Sequence, residues 1–121
     1  MEDRFKEKCT IEQRINESAR IKAKYPERVP VIVERADGCK NIEEITKHKY
    51  LVPNDLTIGQ LAYVIRKKIP KLESHIGMFM FVNNEMPCNG DLIEIIYNKH
   101  VDEDGFLYVE YSGENTFGYT H

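Results

Sequence analysis

The chain has 121 residues, 41% hydrophobic and 31% charged, with a net charge of −3; these are the proportions of one globular domain with a single core. No apolar run approaches the roughly 18–20 residues of a membrane-spanning helix, and charge from Glu2 onward argues against a signal peptide. The acidic balance, without an RNP-type aromatic motif or a zinc-finger spacing, argues against nucleic acid as a partner.

Charge is unevenly placed. Residues 1–70 carry 15 Lys and Arg against 11 Asp and Glu, whereas residues 71–121 carry 2 against 9. A basic N-terminal part suits acidic peptides or anionic lipid heads. Cys9, Cys39 and Cys88 are odd in number and show no C-x-x-C spacing, which predicts reduced thiols in a cytosolic protein. Position 2 is not glycine and the last residues are not a prenylation box, so neither of these lipidation signals is expected.

After a short polar opening, Thr10-Ile11-Glu12-Gln13 has the form of a capping box, and a helix is expected from there to about Ala23, before Tyr25-Pro26. At 100° per residue Ile11, Ile15 and Ala19 form one stripe, expected to face the core. Ile21 lies off that stripe, near Glu17, and reads either as an exposed aliphatic or as the wall of a pocket. Arg28–Arg35 is the first strand; its apolar residues occupy both faces, so both sides of the sheet should be covered there. The turn 36–41 leads to a short second strand, His48–Val52, closed by Pro53. Lysines and a proline around so short a strand mark a sheet edge, protected from aggregation or open to an added peptide strand.

A second box, Thr57-Ile58-Gly59-Gln60, starts a helix that Pro70 ends, with Leu56 and Leu61 placed as a hydrophobic staple. Its stripe is Ile58, Leu61, Ala62, Ile65 and Ile69, and Val64 falls outside it. A third strand spans 77–82. Asp91-Leu92-Ile93-Glu94 opens a shorter helix to about His100. The last strand alternates Phe106, Tyr108 and Glu110 against Leu107, Val109 and Tyr111. The order strand, strand, helix, strand, helix, strand is that of a ubiquitin-like β-grasp, an α+β fold with a four-stranded mixed sheet. The additional N-terminal helix is expected to cover the second sheet face.

Little in the chain points to catalysis. Cys88 sits in the turn-like Met86-Pro87-Cys88-Asn89-Gly90, and His48, His75 and His100 are scattered. No His/Cys/carboxylate cluster has ligand spacing, so neither a metal nor another cofactor is expected. Asp102-Glu103-Asp104-Gly105 resembles part of a calcium loop but lacks the later ligands, and is expected to be a solvated turn. The polar tail from Ser112 to His121 reads as a terminus that frays. The alternative reading is a segment in which Gly118, lacking a Cβ, lets another protein approach closely.

Several ordered blocks then resemble one family. Lys24-Tyr25-Pro26-Glu27-Arg28-Val29-Pro30-Val31-Ile32-Val33-Glu34, Lys49-Tyr50-Leu51-Val52-Pro53 and Leu56-Thr57-Ile58-Gly59-Gln60 are similar to the autophagy-related ubiquitin-like modifiers. These include the GABA-receptor-associated protein and microtubule-associated light chain three. Val64-Ile65-Arg66-Lys67, Phe81-Val82-Asn83, Asp104–Val109 and Ser112–Gly118 extend the resemblance over nearly the whole chain.

The resemblance implies one ubiquitin-like domain over 1–118: a helical extension over 1–25, a β-grasp core over 28–112 and a flexible conjugation tail over 113–118. Residues 119–121 would be removed. It implies no enzymatic activity of the chain's own. A cysteine protease would cut between Gly118 and Tyr119. Activating and conjugating enzymes would carry Gly118 as a thioester and transfer it to phosphatidylethanolamine, moving a cytoplasmic monomer onto autophagosomal membrane. There it would recruit receptors and adaptors bearing aromatic-x-x-aliphatic motifs.

The aromatic pocket maps to Glu17, Ile21, Pro30 and Ile32, with Lys49, Leu51 and Phe106. The aliphatic pocket maps to Tyr50, Val52 and Pro53, with Leu56, Leu61 and Val64; Arg28 and Lys47 stand ready for acidic flanks. The competing expectation is a non-conjugated cytosolic adaptor using the same groove. The chain departs from the family pattern at Cys9-Thr10-Ile11, which leaves the angle between the N-terminal helices open. It also has smaller residues at Leu61 and Val64, one extra residue in each of the stretches 36–41 and 71–77, and Cys88 where a second proline is frequent.

Overall fold

The computed structural model describes residues 4–114. In chain order the elements are α1 (Phe5–Lys8), α2 (Ile11–Lys24), β1 (Arg28–Arg35), β2 (Lys49–Pro53), α3 (Ile58–Lys68), β3 (Phe79–Phe81), α4 (Ile93–His100) and β4 (Leu107–Ser112). The one-turn helix α1 lies in what the sequence reads as a polar opening.

The four strands form one sheet in the order β2-β1-β4-β3. The central pair β1 and β4 is parallel, with Val31 opposite Leu107, and both outer pairs are antiparallel. This is the mixed β-grasp sheet expected from the element order. β2 is an edge strand, as its length and flanking lysines suggest.

Both capping boxes form. The Thr10 N–H donates to Gln13 Oε1 at 2.8 Å and the Gln13 N–H to Thr10 Oγ1 at 3.1 Å. Thr57 and Gln60 repeat the exchange at the start of α3. Each box satisfies N-terminal amides that an α-helix leaves without an internal partner.

β1 is buried on both faces, from Val29 through Glu34. Val29, Val31 and Val33 join the main core with Ile58, Leu61 and Ile65 of α3, Ile93 and Ile96 of α4, and Leu107, Val109 and Tyr111 of β4. On the opposite face Ile32 packs with Ile21 and Phe106, and Phe5, Leu51 and Tyr108 lie against them. The strand alternation thus separates two cores, and the N-terminal helices cover the second.

The stripe expected on α2 does not hold. Ile11 and Ile15 are 37% and 43% exposed, and Ala19 is exposed too. The buried line is Arg14, Ser18 and Ile21, at i, i+4 and i+7. Small, polar Ser18 lets the helix come close: its hydroxyl donates to the Asp104 carbonyl at 2.5 Å. Gly105 allows this approach. Its φ is +89°, and a Cβ there would lie 3.0 Å from Ser18 Cβ.

The turn at 102–105 forms, with the Gly105 N–H donating to Asp102 O at 2.9 Å, but it is not solvated at its centre. Asp104 is 1% exposed. Its carboxylate accepts from Arg14 Nη1 at 2.6 Å, from the Phe106 N–H at 2.8 Å and from the Tyr108 hydroxyl at 2.5 Å. Each of these donors compensates the water that the buried side chain has lost.

Candidate functional site: an open sheet edge beside a buried aromatic cluster

β2 pairs with β1 along one side only. Val33 N–H donates to His48 O at 2.8 Å, which places 48, 50 and 52 as the residues whose backbone faces β1. By alternation, the N–H and C=O groups of Lys49 and Leu51 point away from the sheet. Arg28 Nη1 donates to the Leu51 carbonyl at 3.2 Å. The edge therefore offers the donor and acceptor ladder that an extended peptide needs to pair as a further strand.

The side chains of β2 divide by face. Leu51 lies half-buried against Ile21, Ile32 and Phe106, with Pro30 buried on the same face of β1. Ile21, read from the sequence as exposed or as a pocket wall, is 3% exposed and packs in this cluster. Lys49 reaches from β2 to α2 and pairs with Glu17 Oε2, while Arg20 Nη2 holds Glu17 Oε1 at 2.6 Å. Hydrogen bonds from Lys49 and then Arg20 keep the Glu17 carboxyl below its ordinary range. All seven residues assigned to the aromatic pocket therefore converge between α2 and the β2–β1–β4 face.

The aliphatic set is spread more widely. Tyr50, Val52 and Leu61 are buried in the main core, and Leu56 packs against it half-buried. Val64 is 40% exposed on α3, and Pro53 is exposed at the end of β2. Of this set only Leu56, Val64 and Pro53 present substantial accessible surface. Arg28 and Pro53 line a shallow polar cavity of about 240 Å³ with Glu27, Asn54 and Asp55. Lys47 is exposed, its ammonium 5.1 Å from the centre of the Tyr50 ring, and the Tyr50 hydroxyl donates to Lys47 O at 2.8 Å.

Two features of the site were not read from the sequence. Phe5 meets Phe106 edge to face, at 5.2 Å between ring centres and 77° between planes, so α1 shields one flank of the aromatic cluster. It is tied there by the Phe5 N–H to Glu34 Oε2 at 2.8 Å and by Arg4 to Asp37 at 2.5 Å. The other is the Arg14–Asp104 pair, which holds α2 beside Phe106. Its trace in the sequence is Arg14 standing seven residues before Ile21, on the same helix face.

Among the described residues, no group of three or more His, Cys, Asp or Glu is placed to hold a metal ion. No helix among them is long and apolar enough to cross a membrane. Gly118 and the cleavage position before Tyr119 lie outside the described residues.

Comparison with known proteins agrees with this architecture. The family model described as "Autophagy protein Atg8 ubiquitin like" matches residues 13–118. Autophagy-related protein 8b of Arabidopsis thaliana is 58% identical over 94% of this chain and 92% of its own. Autophagy-related protein 8 of Mycosarcoma maydis is 53% identical over 98% of each chain. Among solved structures, Plasmodium falciparum Atg8 in complex with a Plasmodium falciparum Atg3 peptide superposes with a TM-score of 0.82. It is 35% identical, covering 93% of this chain and 98% of that one. The open edge, the two-faced sheet and these relatives lead to one assignment: the chain belongs to the Atg8 family of ubiquitin-like autophagy proteins.

Proposed function

We propose that this chain is a protein modifier whose reactive group is its own C-terminal carboxyl. A cysteine protease cuts after Gly118; activating and conjugating enzymes then carry the glycine as a thioester to the amine of phosphatidylethanolamine. All catalytic groups belong to those enzymes. Glycine suits the position because a residue without a Cβ passes through a narrow active site and leaves its carboxyl unhindered. Two acyl chains hold a protein stably on a bilayer, where a single myristoyl chain gives only marginal binding at about 0.8 kcal/mol per buried CH₂. Conjugation thereby turns a chain that the sequence reads as cytoplasmic into a resident of the autophagosomal membrane.

On the membrane, the edge of β2 receives receptors and adaptors carrying aromatic-x-x-aliphatic motifs. The observation that carries this reading is the coincidence of outward-facing Lys49 and Leu51 backbone groups with the Ile21–Ile32–Phe106 cluster at one sheet edge. The peptide backbone pairs with β2, its aromatic residue enters between α2 and β2, and its aliphatic residue meets Leu56 and Val64. The Plasmodium falciparum relative holds an Atg3 peptide, which supports a counterpart of Atg3 among this chain's partners.

The test is reconstitution with the family's protease, activating and conjugating enzymes and vesicles containing phosphatidylethanolamine. The expected product is a faster-migrating, phospholipase-sensitive band. Peptide binding without such a band would favour the non-conjugated adaptor instead.

A further inference from the structure

The long connection between β1 and β2 returns to the end of β4 and grips it. The Tyr111 hydroxyl donates to Glu43 O at 2.8 Å and accepts from the Ile45 N–H at 2.9 Å. Two residues later the same connection holds Gly113. Asn41 Nδ2 donates to Gly113 O at 3.3 Å, the Gly113 N–H donates to Cys39 Sγ at 3.4 Å, and the Cys39 thiol donates to Asn41 Oδ1 at 3.3 Å. These three contacts close a ring on the N–H and C=O of one residue, Gly113.

Two further observations make the ring specific. A Cβ at position 113 would fall 2.6 Å from Asn41 Cγ, so the glycine is what lets Asn41 close down. The pairing of β4 with β3 reaches only to Ser112 opposite Phe79, so the sheet no longer holds the chain at Gly113.

We propose that Cys39 and Asn41 form a clasp that fixes the root of the C-terminal tail at Gly113 and positions Gly118 for the enzymes acting on it. This role rests on the processing reading above. From Gly113 an extended chain reaches Gly118 within roughly 17–18 Å, at about 3.3–3.6 Å per residue. An enzyme that binds both the domain and the tail benefits from a fixed root, because its two contacts then start from a set spacing. Ordering a free root would instead be charged to binding. The clasp therefore acts on KM and leaves the chemical step alone. In that step water adds across the Gly118–Tyr119 peptide bond, leaving a carboxylate on Gly118 and an amine on the released Tyr119-Thr120-His121.

The experiment measures steady-state release of that tripeptide from the full chain by the family's cysteine protease. Asn41→Ala and Gly113→Ala are each expected to raise KM about three- to tenfold, the scale of one or two lost hydrogen bonds, with kcat unchanged. Both break the same clasp, so the double variant should be no worse than either single one. Asn41 is exposed, so its truncation leaves the core intact, and affinity for an aromatic-x-x-aliphatic peptide should stay at the wild-type value in all three. Equal KM in wild type and variants, or additive effects in the double variant, would overturn the clasp alone. Failure of the protease to cut the wild-type chain would overturn the processing reading and the clasp together.

Discussion

Arg14 and Asp104, ninety residues apart in sequence, meet at 2.6 Å in a buried ion pair that fastens α2 to the turn before β4. The pair sits directly behind the aromatic cluster, because Ser18 and Ile21 follow Arg14 on one helix face and Phe106 follows Asp104 by two residues. It holds α2 against this turn, and with it the spacing between α2 and β2.

Removing Arg14 takes away the cation and leaves the buried Asp104 carboxyl only the Phe106 N–H and the Tyr108 hydroxyl. Arg14→Ala is therefore expected to destabilise the domain by about 3–5 kcal/mol, read as a lower urea midpoint with unchanged slope. Tyr108→Phe removes only one donor to Asp104 and should cost about 1 kcal/mol. Equal effects of the two would contradict the central place given to the ion pair.

The groove itself is tested by Leu51→Ala. Leu51 contributes both to the aromatic cluster and, through its backbone, to the ladder, and truncation removes only the first contribution. Affinity for an aromatic-x-x-aliphatic peptide should fall about tenfold, for a loss of roughly 1.5 kcal/mol or more of apolar contact. The effect should be seen in calorimetric titration. Ile95→Ala, at an exposed residue of α4 that lines a separate cavity with Val82, Glu85 and Pro87, should leave binding unchanged.

Acid should loosen the tie across the groove mouth. Glu17 is held below its ordinary value of 4.5 by Lys49 and Arg20, so its contribution is present above the unfolded pKa and is lost as pH falls through the lower folded one. Lowering the pH below about 4.5 should shift the Lys49 side-chain resonances in wild type and leave them unmoved in Glu17→Gln. Identical titrations in the two proteins would remove Glu17 from the groove.

Alkaline pH should destabilise the fold through Tyr111. Burial pushes its phenol from 10.0 to about 12. The unfolded chain thus ionises first, and stability present below the unfolded pKa is lost as pH rises toward the folded one. Two units correspond to about 2–3 kcal/mol, measured as a falling denaturation midpoint above about pH 10. Burial also raises the Tyr108 phenol, so Tyr111→Phe should flatten this decline without abolishing it.

Much of this architecture is written in short-range patterns. Apolar residues on both faces of β1 foretold a sheet covered twice, and the two T-x-x-Q boxes marked the starts of α2 and α3 because capping is local chemistry. The alternation of β2 separated Lys49 and Leu51 from Tyr50 and Val52 before any coordinates. The face of α2 was misread for a physical reason. Counting aliphatics assumes that helices bury them, whereas this helix buries an arginine and a serine against partners some ninety residues away. Phe5 was passed over likewise, because one aromatic in a charged segment has no periodicity to place it. The grip of Cys39 and Asn41 on Gly113 depends on where a long connection folds back, which no local pattern encodes.

The most direct measurement is the intact mass of the protein purified from cells, taken separately from soluble and membrane fractions. The soluble form should end at Gly118, lighter by Tyr119-Thr120-His121, and the membrane form should carry the added mass of one phosphatidylethanolamine. A full-length chain still ending in His121 in both fractions would contradict the assignment of Gly118 as the conjugated residue.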